Sequence, residues 1–144
     1  MKDKILITGD NGYIGSVLVK ILKSEKFKMV GLDTNFYKKI TYAKKFVKYH
    51  KIKKDFREIN SKDLKKINTV IHLASLSNDA LGEMNDDITE KINFKGTIRL
   101  AKLCKKNKIE RFIYVSSLSM YGSQNSTKEL KENETTNKGI TAYA

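Results

Sequence analysis

The stretch KILITGDNGYIGSVLVKIL, Lys4 to Leu22, decides how the rest of the chain is read. Its first five residues, Lys4 to Thr8, are a short, mostly apolar run of strand length. Glycines follow at 9, 12 and 15, and beyond them Ile14, Val17, Leu18, Ile21 and Leu22 recur at helical spacing. That spacing predicts a helix from about Gly12 to Lys23. Gly9 permits a tight turn, Gly12 lets the backbone approach a pyrophosphate, and Gly15 lets the helix pack closely on the strand. The helix N-terminus offers its amides and positive dipole end to the phosphates. A glycine-rich turn that holds no ligand is the alternative reading.

The same alternation continues outward. KMVGLD (Lys28 to Asp33) reads as a second strand, and the polar HKIKKDF region as a third at a sheet edge. SKDLKKI predicts a short helix with Ser61 as its N-cap. TVIHLA (Thr69 to Ala74) is the most continuously apolar strand, as a sheet buried on both faces requires. A long helix follows from about Asp86 to Asn107, with Ile88, Ile92, Ile98, Leu100, Ala101 and Leu103 as candidates for its buried side. RFIYVSS (Arg111 to Ser117) is a fifth strand, and Gly122 to Gly139 is polar and loop-like. Strands separated by helices mean βαβ crossovers and a parallel sheet, so the fold class is α/β, doubly wound. Its functional crevice lies at the strand C-termini.

Composition excludes other classes. A chain of 144 residues fits one domain, residues 1–144, and its 40% hydrophobic content is that of a globular protein. No apolar run reaches the roughly 18 residues of a membrane span, and the first residues lack a secretory h-region, so a cytoplasmic location is expected. One cysteine, Cys104, reads as an inert core residue, and two scattered histidines give no metal spacing. His72, inside the fourth strand, reads as a packing residue. The net charge of +13 is concentrated between Lys38 and Lys66, where twelve Lys or Arg face Asp55, Glu58 and Asp63. A solvated lysine-rich surface accounts for it, because no nucleic-acid motif accompanies the charge; nucleic-acid binding is the minor alternative.

Asp33 closes the second strand, 18 residues after Gly15. An acid there accepts from ribose hydroxyls and repels a 2′-phosphate, which favours NAD over NADP; a strand-end turn aspartate is the other reading. Lys38 and Lys39 nearby soften that preference. Asp55, with Phe56 beside it, is a candidate adenine contact that its position alone leaves undecided.

With TGDNGYIG, GLD, DFR, HLAS (His72 to Ser75), NFKGT (Asn93 to Thr97) and VSSLSMYG (Val115 to Gly122) in this order, the chain resembles the extended short-chain dehydrogenase/reductase family. Its members include NAD-dependent epimerases and dehydratases acting on nucleotide sugars. The resemblance implies a Rossmann fold with NAD held by Gly9, Asn11, Gly12, Tyr13, Ile14, Gly15, Asp33, Asp55, Phe56, Leu73, Ala74 and Ser75. It implies that Asn93 ties down the central backbone, and that Ser117 hydrogen-bonds the sugar oxygen at the reacting carbon. Without the resemblance, Ser117 reads as a strand-end serine capping backbone.

Tyr143, 26 residues after Ser117, then resembles the tyrosine of the family's Tyr-x-x-x-Lys motif. A tyrosine with a pKa of about 10 is a poor base at neutral pH, and a lysine one helical turn on favours its phenolate. That lysine would fall beyond Ala144, the last residue. The expectation is therefore a sheet incomplete at its C-terminal side, without the substrate lobe, inactive alone, and either a homodimer or associated with a C-terminal half. The implied substrate is a nucleotide sugar. Leu118 and Ser119 stand where family dehydratases carry an Asp-Glu pair, which favours an epimerase or 4-keto reductase. A non-catalytic dinucleotide-binding module is the rival from another class.

Overall fold

A computed structural model describes residues 4–37, 47–77, 85–122, 129–134, 141 and 143. Lys38 and Lys39, the middle of the Ser75–Asn85 loop and most of residues 123–140 lie outside the described residues. The chain forms two compact units: residues up to Ala74 together with Gly96–Val115, and Ser75–Lys95 together with the residues from Ser116 onward.

The first unit is built on β1 (Lys4–Thr8), whose Ile5, Leu6 and Ile7 are all buried. β1 pairs in parallel with β2 (Lys28–Asp33) from Lys4↔Lys28 to Thr8↔Leu32. On its other side it pairs with β4 (Thr69–His72) from Ile5↔Thr69 to Thr8↔His72. β3 (His50–Lys53) joins β2, and β5 (Arg111–Tyr114) joins β4, giving the all-parallel order β3-β2-β1-β4-β5. This is a Rossmann sheet, and its topological switch falls between β1 and β4. Helix α1 (Tyr13–Ser24) carries the chain from β1 to β2 and packs on β2. On that face Ile5, Ile7, Val19 and Met29 form a core extended by Leu18, Leu22, Phe27, Tyr49, Ile71 and Leu73. Strand alternation sends Leu6 to the opposite face.

The helical stretch ahead of β5 is not uniform. It runs as α2 (Asp86–Thr89), a wider π-helical segment (Glu90–Gly96) and α3 (Thr97–Lys106). α3, with Leu100 and Cys104 buried, packs against the 3-10 turn Phe56–Glu58, and Arg99 donates to the Ile59 carbonyl at 2.9 Å. Burial pushes the Cys104 thiol up to about 11, consistent with an inert core residue.

Local expectations are corrected at four places. Ile14, Val17 and Ile21 are exposed, and α1 instead buries Gly15, Ser16 and Val19, because small residues let the helix come close to the sheet. Ile88 and Ile98 are exposed too, while Thr89, Gly96, Leu100 and Cys104 are buried. Residues 61–66 form successive turns rather than a helix: Asp63, Lys65 and Ile67 each donate to the carbonyl three residues back. Asn60, not Ser61, takes the capping place, accepting from the Lys62 amide at 2.9 Å. The fifth strand ends at Tyr114. Among the described residues no helix is long and apolar enough to cross a membrane.

Candidate functional site

The glycine turn leaves the C-terminal end of β1, where the crevice of a doubly wound sheet opens. Gly9 has φ +75°, and a Cβ there would stand 2.8 Å from the Ala74 amide nitrogen. At Gly15 a Cβ would stand 2.2 Å from the Gly9 carbonyl oxygen. Glycine is thus required at both places, by conformation and by close approach. Gly12 is the N-cap of α1; its amide donates to Gly9 O at 3.0 Å and its carbonyl accepts from Ser16 N at 2.9 Å. No side chain caps the helix, and its first turn has no acid. An anion can take the place of the missing cap. Tyr13 and Ile14 lie exposed at this end of the helix.

Asp33, at the end of β2, is aimed by backbone. Its Oδ1 accepts from the Asn35 amide at 2.6 Å and its Oδ2 from the Asn11 amide at 3.2 Å. Asn35 holds φ 66°, a conformation asparagine tolerates, and its Oδ1 accepts from Asn11 Nδ2. The carboxylate keeps lone pairs for two further donors, such as the paired hydroxyls of a ribose.

Leu73 and Ala74 are tied to the end of β1, the Leu73 amide donating to Thr8 O at 3.1 Å and the Ala74 amide to Thr8 Oγ1 at 3.3 Å. Beneath them the buried His72 ring lies 2.6 Å from Thr8 Oγ1 through Nδ1 and 2.9 Å from Thr97 Oγ1 through Nε2. Burial lowers its pKa to about 4, so at neutral pH the ring is an uncharged strut. Phe56 packs edge-on against it at 4.7 Å between centroids and is itself buried. The Phe56 side chain therefore has a packing job. Asp55 caps the 3-10 turn, accepting from the Arg57 amide at 2.8 Å and from Arg57 Nη2 at 2.7 Å, and that guanidinium holds its carboxyl below the usual range.

In the second unit, Asn93 Oδ1 accepts from the Leu76 amide at 2.8 Å and Nδ2 donates to Leu76 O at 3.0 Å, a double tie between the π-helical segment and the segment after Ser75. Ser75 is exposed. Ser117 is the N-cap of a 3-10 turn, Leu118–Tyr121: its Oγ accepts from the Ser119 amide at 3.1 Å and donates to Ser119 Oγ at 3.1 Å. Tyr143 is half-buried.

The first unit thus brings Gly9, Asn11, Gly12 and Asp33 into one hydrogen-bonded cradle, with Gly15 packed against the Gly9 carbonyl. Sequence reasoning missed three participants: Asp10, Tyr49 and Lys51. Tyr49 donates to the Asp10 carboxylate at 2.5 Å, and Lys51 donates to Asn11 Oδ1 at 2.7 Å. The available signal was Gly31, a lone glycine inside an apolar strand, which marks a close approach.

Comparison with known proteins assigns the chain to a family. Residues 5–144 match the model of the NAD dependent epimerase/dehydratase family. The chain is 36% identical over 134 residues to the Bifunctional protein GAL10 of Candida maltosa, covering 83% of this chain and 85% of that one. Among solved structures, it is similar to the UDP-N-acetylglucosamine 4-epimerase of Methanobrevibacter ruminantium in complex with UDP-N-acetylmuramic acid. There the TM-score is 0.84 and the identity 27%, over 99% of this chain and 46% of that one. It is also similar to MoeE5 in complex with UDP-glucose and NAD, with TM-score 0.77 and 26% identity over 97% of this chain and 44% of that one. The chain spans about half or less of the length of most relatives it matches.

Proposed function

The chain belongs to the NAD-dependent epimerase/dehydratase family, and on that premise we propose that it forms the NAD-holding part of an active site that epimerises a nucleotide sugar or reduces its 4-keto form. The observation that carries this is the Asp33 carboxylate, held by the Asn11 and Asn35 amides beside an uncapped helix N-terminus. Donor and acceptor groups there match the two ends of an adenosine diphosphate: carboxylate for the ribose hydroxyls, amides for the phosphates. Asp33 favours NAD, since a 2′-phosphate would meet a carboxylate. Nucleotide sugars in the UDP-N-acetylglucosamine 4-epimerase and MoeE5 structures support the substrate class.

NAD, when bound, supplies the hydride acceptor. Ser117 orients the sugar oxygen by a hydrogen bond, and Tyr143 takes the hydroxyl proton as the carbon loses hydride. To reach substrate, the Ser117 hydroxyl gives up its bond to Ser119 Oγ while still accepting from the Ser119 amide. The 3-10 turn therefore survives the exchange. Leu118 and Ser119 bring no carboxyl for water elimination, which favours epimerisation or reduction over dehydration.

The test is an assay of the chain with NAD and UDP-hexoses, alone and with the C-terminal part of a family member added in trans. Interconversion of the sugar that falls at least about a hundredfold in Ser117→Ala or Tyr143→Phe supports the reading. A second reading, a dinucleotide-binding module without catalysis, is favoured by the engagement of Ser117 in its own cap. Tight NAD binding with no sugar conversion under either condition would select it.

A further inference from the structure

Gly31 lies inside β2, and the space its missing side chain leaves is occupied. A Cβ there would stand 2.3 Å from Asp10 Oδ2 and 2.7 Å from Tyr49 Cε2. Asp10 sits within the glycine turn between Gly9 and Gly12, and it is 1% exposed. Its Oδ2 accepts from the Tyr49 hydroxyl at 2.5 Å and lies 3.4 Å from Lys51 Nζ. The same ammonium donates to Asn11 Oδ1 at 2.7 Å and stands 4.8 Å above the Tyr49 ring. Register places Lys51 directly beside Gly31, so the lysine crosses β2 over the one residue that leaves room.

A carboxylate buried in a loop that must receive a diphosphate is an electrostatic problem. Burial raises the Asp10 pKa; the Tyr49 hydrogen bond and the Lys51 charge act against that, and the neighbouring Asp33 adds to it. Asp10 and Asp33 flank Asn11, whose amide serves Asp33 and whose side chain is held by Lys51. An uncompensated anion at Asp10 would repel the phosphates and loosen the turn.

We propose that Asp10, Tyr49 and Lys51 form a lock by which the edge strand holds the phosphate loop in its binding shape, with Lys51 a positioning residue for the dinucleotide. It acts through Asp10, whose charge it cancels, and through Asn11, which it orients. The inference deepens the NAD reading above and rests on it for the ligand, while the lock itself is a property of the unliganded chain.

The test measures amide hydrogen exchange of residues 9–12 in the unliganded chain, and NAD affinity by calorimetry, in Lys51→Met, Asp10→Asn and the double variant. Lys51→Met is expected to speed loop exchange and weaken NAD binding by about tenfold each. The double variant, which removes the stranded charge, returns both to within about threefold of the parent. Asp10→Asn alone keeps Tyr49 and Lys51 but removes the charge they hold, and is expected to speed exchange of residues 9–12 by about threefold; an unchanged rate there counts against the lock, and this arm needs no folded Lys51→Met. Lys51→Met behaving like the parent, or a double variant no better than Lys51→Met, overturns the lock. Loop exchange that responds while NAD affinity does not overturns the positioning role. A parent chain that does not bind NAD refutes the proposed function instead, and loop exchange then decides the lock by itself.

Discussion

The two units hold their candidate residues in different ways. In the sheet-containing unit, the bonds that shape the cradle join distant parts of the chain: Asn11 to Asp33, Lys51 to Asn11, Thr8 to His72, and His72 to Thr97. In the second unit, the Ser117 side chain bonds two residues along, to Ser119, and its carbonyl accepts from the Met120 amide, three along. Asn93, tied to Leu76, is the longer-range member there. The difference is one of origin. Strand register largely dictates the first set, so the candidate cofactor residues are placed by the same contacts that make the fold. Turn chemistry dictates the geometry at Ser117, which therefore couples weakly to global stability.

Substitutions test that contrast, the largest effect first. Gly15→Val puts branched carbon against the Gly9 carbonyl, and should cost about 3 kcal/mol in denaturant unfolding and abolish NAD binding. An unchanged midpoint would mean that the turn is not built into the fold. A comparable effect is expected from pH through His72. Its folded pKa of about 4 lies below the unfolded value of 6.5, so the unfolded chain takes up the proton first. Stability is then fully present above pH 6.5 and falls by about 3 kcal/mol as pH drops toward 4. Asp10, whose pKa is raised, binds its proton more readily in the fold and opposes this loss at the acid end. Urea titrations across that window, with NMR of the His72 ring, measure it; a ring that titrates near 6.5 would contradict the buried strut.

Asp33→Ala is expected to weaken NAD by about 2 kcal/mol, roughly thirtyfold, to narrow the gap to NADP, and to lower stability by about 1 kcal/mol, since the Asn11 and Asn35 amides lose their acceptor. Smallest is Ser117→Ala, which removes a cap and should cost about 0.5 kcal/mol while NAD affinity stays within about twofold. A Ser117→Ala chain that unfolds as readily as Gly15→Val would erase the distinction between the units.

Much of the cradle was legible in the sequence because each of its parts carries a local mark, although the bonds that join those parts are long-range. Three glycines at fixed spacing, an apolar run before them and an acid ending the next strand mark the turn, and the alternation of strand-like and helical stretches pointed to a parallel sheet. The helix faces were read less well. Apolar periodicity on α1 pointed to Ile14, Val17, Leu18, Ile21 and Leu22; Leu18 and Leu22 do pack on the core, but Ile14, Val17 and Ile21 are exposed and the sheet accepts Gly15 and Ser16, since close packing selects for small volume as well as for hydrophobicity. The Asp10 lock was invisible for another reason. Tyr49 lies 39 residues from Asp10 and Lys51 40 from Asn11, and only strand register reveals that Lys51 stands beside Gly31. A lysine in a lysine-rich stretch carries no mark of its role.

The central claim is that these residues assemble a dinucleotide site selective for NAD, and calorimetric titration of the 144-residue chain with NAD and, separately, with NADP tests it most directly. The account predicts saturable binding that prefers NAD and that Asp33→Ala weakens. Binding of neither, or equal binding of both in the parent and in Asp33→Ala, would contradict it.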